Sequence, residues 1–509
     1  MNTNRLTYVA QTVILNILSV FVISSTVWAA TYYVDATKGN DANPGISESA
    51  TWKTIAKINV STFNPGDQIL FKRGEIWSGT ILNVPSDGKN GSHITLGAYG
   101  NGDKPILDGT GLSKTIYLNG RSFITISNLE IKKGDHGIFI TSSATSGQIN
   151  IINCEIHDSG DHNNISIKNR GNVIIEDCTI YNSGGSGISA YTSSLSDWSG
   201  RKGNNVKVLG NTIYNNSGTG FLVHGDNAVV RNNEFYRNGG SDSSGLKHNI
   251  YIVGDNAIVE KNILRDAVYG DGIRFEGSDL VVRYNLFQHN RKHDMGIWND
   301  FPESHSNLTI SYNLFIHRNY AETPVSLPMV INIDKASGAG SFSDVKIYNN
   351  SVYGENDNAN GFAFQNCSNV TVRNNIINLK DALLIAILPT ASVTSDYNIL
   401  KSEESKPFST SKYATFSQWQ GDGYDGHSTE NEPGFTDPNN NNLTLRSISP
   451  AVGAGVNLGQ ACDDGLHPNS NLPNSVSTLD QDNYGAWEIG AYVYQSGNPP
   501  AAPKNLRLQ

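Results

Sequence analysis

The chain has 509 residues, of which 17% are charged and 50 are glycine, so it is poorer in charge and richer in turn-formers than an ordinary globular domain. That balance excludes a helical bundle or a coiled coil. A net charge of −10, from 37 basic and 47 acidic residues, argues against non-specific binding to nucleic acid.

The first predicted element is a leader. Arg5 precedes an apolar run from Val13 to Ile23, and Val27-Trp28-Ala29 places small residues at a cleavage position. This order predicts a signal peptide over 1–29 and export of the mature chain. No later segment is apolar enough to span a bilayer. The four cysteines, at 154, 178, 367 and 462, are too few for a disulfide scaffold, and no CxxC pair points to zinc.

From residue 153 onward a short phrase recurs. It reads Asn-Cys-Glu-Ile at 153–156, Asp-Cys-Thr-Ile at 177–180, Tyr-Asn-Leu-Phe at both 284–287 and 312–315, and Tyr-Asn-Ile-Leu at 397–400. Its second residue falls at Cys154, Cys178, Asn211, Asn233, Asn262, Asn285, Asn313, Asn350, Asn375 and Asn398, with gaps of 22 to 37 residues. Each copy follows an alternating β-like run and leads through a Gly/Asn turn into another short strand. Units this small bury no face alone but enclose a continuous core when stacked. A column of Asn suits such a turn: Asn tolerates left-handed backbone, and stacked amides bond along the column. Cys154 and Cys178 extend the column and are read as stacked thiols. Tyr181, Tyr214 and Tyr236 repeat one position and are read as a packing stack.

These units resemble the coils of the right-handed parallel β-helix of the pectin-lyase-like superfamily. Thr31-Tyr-Tyr-Val-Asp35, Trp52-Lys-Thr-Ile55 and Pro65-Gly-Asp67 resemble the capping region of its secreted bacterial members, and Gly485-Ala-Trp-Glu-Ile-Gly490 resembles the closing phrase. The resemblance implies an all-β solenoid of ten or more coils with an asparagine ladder over about 30–495, roughly 50–60 Å long at about 4.8 Å per coil. Residues 496–509 read as a proline-rich linker, ending in a phrase similar to the first strand of a fibronectin type III module. Superfamily members include lyases, hydrolases and non-catalytic surface proteins, so the resemblance speaks for fold more than for activity.

Candidate site residues come from aligning strands. With Ile250, Ile252, Ile273, Phe275 and Ile297 inward, period-two alternation places Leu222 and His224, then Lys247, Asn249 and Tyr251, then Arg274 and Glu276, then Asp294, Trp298 and Asp300 outward on adjacent coils. His248 and Asp271 align in the preceding turn. Equivalent positions elsewhere are bland (Ser166, Ser189, Ala363), so chemistry-bearing residues gather at mid-rod. His136, His157, His162 and His317 are read as structural or solvated.

This patch suits β-elimination on a uronic-acid polysaccharide. Asp271, Glu276, Asp294 and Asp300 would hold a calcium ion, a hard cation that takes oxygen ligands. Lys247 would be the base, with His248 and Tyr251 a second base/acid pair. Arg274 would hold a substrate carboxylate, and His224 and Trp298 would contact sugar. The alternatives are a glycoside hydrolase using two of the four carboxylates and a non-catalytic carbohydrate-binding or cell-surface stalk. The expected partner is a polysaccharide, the expected location secreted or cell-surface, and the expected state monomeric.

Overall fold

A computed structural model describes residues 29–142, 147–192, 200, 202–240, 246–318, 328–355, 359–473 and 475–495; the signal-peptide and linker assignments lie outside them, apart from Ala29. Each coil visits three sheets in turn, as in Leu280–Arg283, Leu286–Gln288 and Met295–Asn299. Among the described residues the first sheet has 14 strands, from Thr31–Val34 to Val393–Asp396; the second has 13, from Ile76–Ser78 to Ile399–Lys401; the third has 14, from Leu82–Asn83 to Tyr413–Ala414. Strands of successive coils pair in parallel and in register, for example Ile250↔Ile273 and Ile273↔Met295. The fold is a right-handed parallel β-helix.

Register follows burial. Ile250, Ile252, Ile273, Phe275 and Ile297 are all enclosed, and a slip of one residue would turn that whole set to solvent. Phe287 and Phe315 stack inside at 4.7 Å, continuing the core from coil to coil. At the far end the helix Phe416–Gly421, started by a Thr415 capping box, inserts Trp419 between Phe408 and Tyr424.

The asparagine column forms a ladder. From Asn211 to Asn375 each side-chain amide donates to the next Oδ1 at 2.9–3.2 Å, ending on Asn398. The same amides reach carbonyls of their own and the preceding coil, as Asn262 does to Glu260 and Val230. Such a buried polar column is stabilising because its members are satisfied. Cys154 and Cys178 are free thiols that stand in for Asn, each donating Sγ–H to main-chain carbonyls. The expected left-handed backbone falls one residue earlier: Lys261, Tyr284, Tyr312 and Asn349 have φ of 51–59°, while the ladder Asn that follows supplies the bonds that hold the bend.

The closing segment does more than close. Phe435, Leu443, Leu445, Ala451, Leu466, Ile489 and Ala491 form a second apolar cluster with Leu286, Leu314, Ile316, Tyr353, Ile376 and Ile399 on the outer side of the second sheet. The second sheet's outer face is thereby covered over these coils, and the outward polar and aromatic residues gather on the third sheet. Among the described residues no helix is long and apolar enough to cross a membrane.

Candidate functional site

The outer face of the third sheet carries the cluster. One outward column runs Ser166, Ser189, Leu222, Tyr251, Arg274, Gly296, Asn332 and Ala363. Two positions along the strand, His224, Val253 and Glu276 align. Two residues before the paired Ile250, Ile273 and Met295 stand His248, Asp271 and His293, one per coil.

Glu276 is the hub. Its side chain is enclosed, accepts a 2.6 Å bond from the Tyr251 hydroxyl and lies 3.3 Å from the Asp300 amide, which donates to it. Burial is the main effect on its carboxyl and raises its pKa despite these donors and Arg274. Burial, reinforced by the Glu276 charge, likewise raises the Tyr251 phenol. Arg274 Nε lies 3.8 Å from Glu276 and its Nη2 lies 3.9 Å from Asp300, with the guanidinium 5.2 Å from the Trp298 ring centroid. The Trp298 indole N–H donates to Asp300 at 2.8 Å. Asp300 is the solvent-facing carboxylate of the group, with about half its side chain exposed.

Asp271 forms a second focus. Its amide donates to His248 Nδ1 at 2.9 Å, and its Oδ1 accepts from the His293 amide at 3.2 Å. Its Oδ2 is buried with no hydrogen-bond partner. That oxygen lies 3.3 Å from His248 Nδ1, which is already an acceptor and so offers it no proton. Burial pushes His248 down to about 3, keeping the ring neutral. His224, on the other side of Tyr251, also has a buried unpartnered Nδ1, and burial lowers it to about 4. Buried unpaired polar atoms are rare and ask for an explanation; two of them flank Tyr251.

The structure thus brings together Tyr251, Arg274, Glu276, Trp298 and Asp300, with His224, His248 and Asp271 at the edge. It corrects the outward assignment of Asp294 and Asn249. Both turn inward into a second amide stack, Asn164–Asn216–Asn238–Asn249–Asn290, which ends where Asn290 donates to Asp294 at 2.9 Å. The other Asp294 oxygen takes a 2.6 Å bond from His317, which accounts for the structural reading of that histidine. Lys247 is half-buried in the turn before Ile250, outside the group of charges centred on Glu276. The four carboxylates offered for calcium do not gather as one group: among the described residues, the group of three acidic or histidine residues whose ligand atoms all lie within 4.8 Å of one another is Asp463, Asp480 and Asp482, near the C-terminal end. Two contributors escaped the sequence reading. His293 was legible from its register with His248 and Asp271, and Gly296 from being the single glycine between Arg274 and Asn332 in the outward column. Tyr181, Tyr214 and Tyr236 do stack on one another, at 4.7–5.0 Å, on the second sheet.

Residues 110–254 and 248–418 match the family described as right handed beta helix region, and the chain belongs to that family. It is 33% identical over 136 residues to a lacto-N-biosidase of Bifidobacterium longum subsp. longum, an alignment covering 21% of this chain and 8% of that protein; the chain thus matches only a small part of that relative's length. A GH136 lacto-N-biosidase structure from Eubacterium ramulus superposes with a TM-score of 0.50 at 17% identity, covering 66% of this chain and 67% of that one. Pectate lyase Pel9A gives 0.42 at 16% identity, covering 92% and 96%. The likeness to the Eubacterium ramulus structure is one of fold.

Proposed function

We propose that the protein is a β-helical glycoside hydrolase. The observation that carries this reading is the 2.6 Å Tyr251–Glu276 bond beside the exposed carboxylate of Asp300. Glycoside hydrolysis needs a proton for the leaving oxygen and a carboxylate for water or for the sugar carbon. Glu276 is enclosed, so the half-buried Tyr251 is the group that meets the sugar. With Glu276 protonated the bond runs the other way: the carboxyl O–H donates to the phenol oxygen, the Tyr251 O–H turns to the glycosidic oxygen and gives it the proton, and the phenol takes the Glu276 proton, so no phenolate accumulates. Asp300 faces solvent and serves as base or nucleophile. Trp298 offers an indole ring for a sugar C–H face.

Sequence similarity to a lacto-N-biosidase supports the reading. Calcium-assisted elimination would need Arg274 free to clamp a uronate and carboxylates free to hold the ion. Here Arg274 lies between Glu276 and Asp300, and Asp294 is spent on Asn290 and His317. These contacts favour hydrolysis over calcium-assisted elimination.

The test is a panel of neutral glycans, pectate, alginate and glucuronan, assayed for reducing ends and for the ultraviolet absorbance of unsaturated uronate, with calcium and with chelator. Reducing ends without absorbance, indifferent to chelator and lost in Tyr251→Phe, are expected. Absorbance that chelator abolishes would replace hydrolysis by elimination. Silence in both channels, with glycan binding retained, would make the protein a binding module.

A further inference from the structure

Trp298 has one open face. It follows the enclosed Ile297, so its ring stands half-buried on the outer side of the third sheet. Arg274, on the preceding coil, lies over that ring at 5.2 Å from its centroid, and Asp300 holds the indole N–H at 2.8 Å. Among the described residues no other ring or cation stacks on it. The face turned away from Arg274 therefore looks toward the next coil, where Met329–Lys335 pairs with Met295–Asn299.

That coil carries polar side chains with bonds to spare. Gly296 pairs with Asn332, and Trp298 pairs with Asp334. Asn332 lies between the enclosed Ile331 and Ile333, so it points outward; it is half-buried, and its amide makes no hydrogen bond among the described residues. Asp334 accepts on Oδ1 from the Lys335 amide and from Asn366, each at 2.8 Å, which leaves Oδ2 open. A sugar ring in contact with the indole stands about 4 Å from it, and the next strand is about 4.8 Å away, so the ring falls over Asn332 and Asp334. An amide both donates and accepts, and a carboxylate accepts. That set matches adjacent hydroxyls, while the aromatic face takes the apolar C–H side of the ring.

We infer that the glycan runs from Tyr251 toward the C-terminal coils, with one pyranose unit stacked on the open face of Trp298 and hydrogen-bonded through adjacent hydroxyls to Asn332 and Asp334. Arg274 is then a positioning residue that fixes the indole from behind. The inference rests on the hydrolase reading for the location of the cleaved bond; the pyranose site itself does not.

The experiment measures binding without turnover. Tyr251→Phe protein is applied to a printed array of neutral and acidic glycans, and the glycan that binds most tightly is titrated calorimetrically. Asn332→Ala in the same background should weaken that binding about three- to tenfold, the loss of one or two neutral hydrogen bonds. Trp298→Ala should weaken it by about tenfold or more, and both variants should keep the melting temperature. Leu222→Ala, in the same outward column on the N-terminal side of Tyr251, should leave the affinity unchanged. An array without binding would overturn the inference, as would an affinity that Asn332→Ala does not move; an equal loss in Leu222→Ala would overturn the direction of the chain. Glycan binding that needs Asn332, in a wild-type protein that cleaves nothing, would overturn the hydrolase reading and leave the pyranose site standing. Hydrolysis of a glycan whose binding ignores Asn332 would do the reverse.

Discussion

Gly296→Ala is the sharpest perturbation the site offers, because its effect is set by one measured gap. The new methyl would lie 2.6 Å from Asp271 Oδ2, whereas ordinary contact begins at 3.4 Å, so the carboxylate must retreat by about 0.8 Å. Asp271 is tied at its amide to His248 and at Oδ1 to His293, which leaves rotation of the carboxylate as the way to yield. A misplacement of about 1 Å costs up to about a hundredfold in rate; kcat/KM should therefore fall about 10- to 100-fold, or about 1.4–2.7 kcal/mol. Folding should survive, since alanine fits this backbone and stiffens the unfolded chain by about 0.4–1 kcal/mol. Steady-state kinetics on a glycan that the panel identifies, paired with thermal melting, measures both quantities. Gly426→Ala, whose added Cβ would meet nothing within 4 Å, is the control. A Gly296→Ala enzyme with unchanged kcat/KM would refute the placement of Asp271, and a collapse in melting temperature would refute the packing argument.

Three further outcomes are expected. Glu276→Gln should reduce kcat by about 10²–10⁴; wild-type activity should fall as pH rises through the raised Glu276 pKa, because the protonated form supplies the proton, and a pH–rate profile retaining that limb in the variant would exclude Glu276 as its source. Glu488 is buried with an unpartnered Oε2, and burial pushes it up to about 7. A carboxyl raised in the folded state contributes stability below its unfolded value of about 4.5 that is lost as pH climbs through about 7; Glu488→Gln should thus melt progressively higher than wild type between pH 5 and 8, by up to about 3 kcal/mol, and a constant gap would contradict the assignment. Asn262→Ala removes amide bonds to Val230, Glu260 and Asn285 and strips the Asn233 donors of their acceptor; a loss of about 3–5 kcal/mol in denaturant unfolding is expected, and under 1 kcal/mol would mean that the ladder is replaceable.

The repeat alone determined the solenoid, the ladder and the register of the third sheet. A strand position carries one choice, core or solvent, and Ile250, Ile273, Phe275 and Ile297 state it without ambiguity. Tyr251, Arg274 and Trp298 followed as outward neighbours, and their meeting on adjacent coils is a consequence of parallel pairing. Turns have no such period. Asp294 and Asn249 stand one residue before their strands, where alternation reads them as outward, yet each turns inward because amides and a histidine from other coils wait there. Glu276 was legible as an outward residue, but its enclosure comes from Tyr251 and Asp300, which lie 25 and 24 residues away in the chain. The covering of the second sheet by residues 435–491 depends on apolar surface made by earlier coils, from Leu286 to Ile399. Periodic burial is written locally and can be read locally; the partners of a polar side chain in a turn are supplied by neighbouring coils, and only the folded chain brings them within hydrogen-bonding distance.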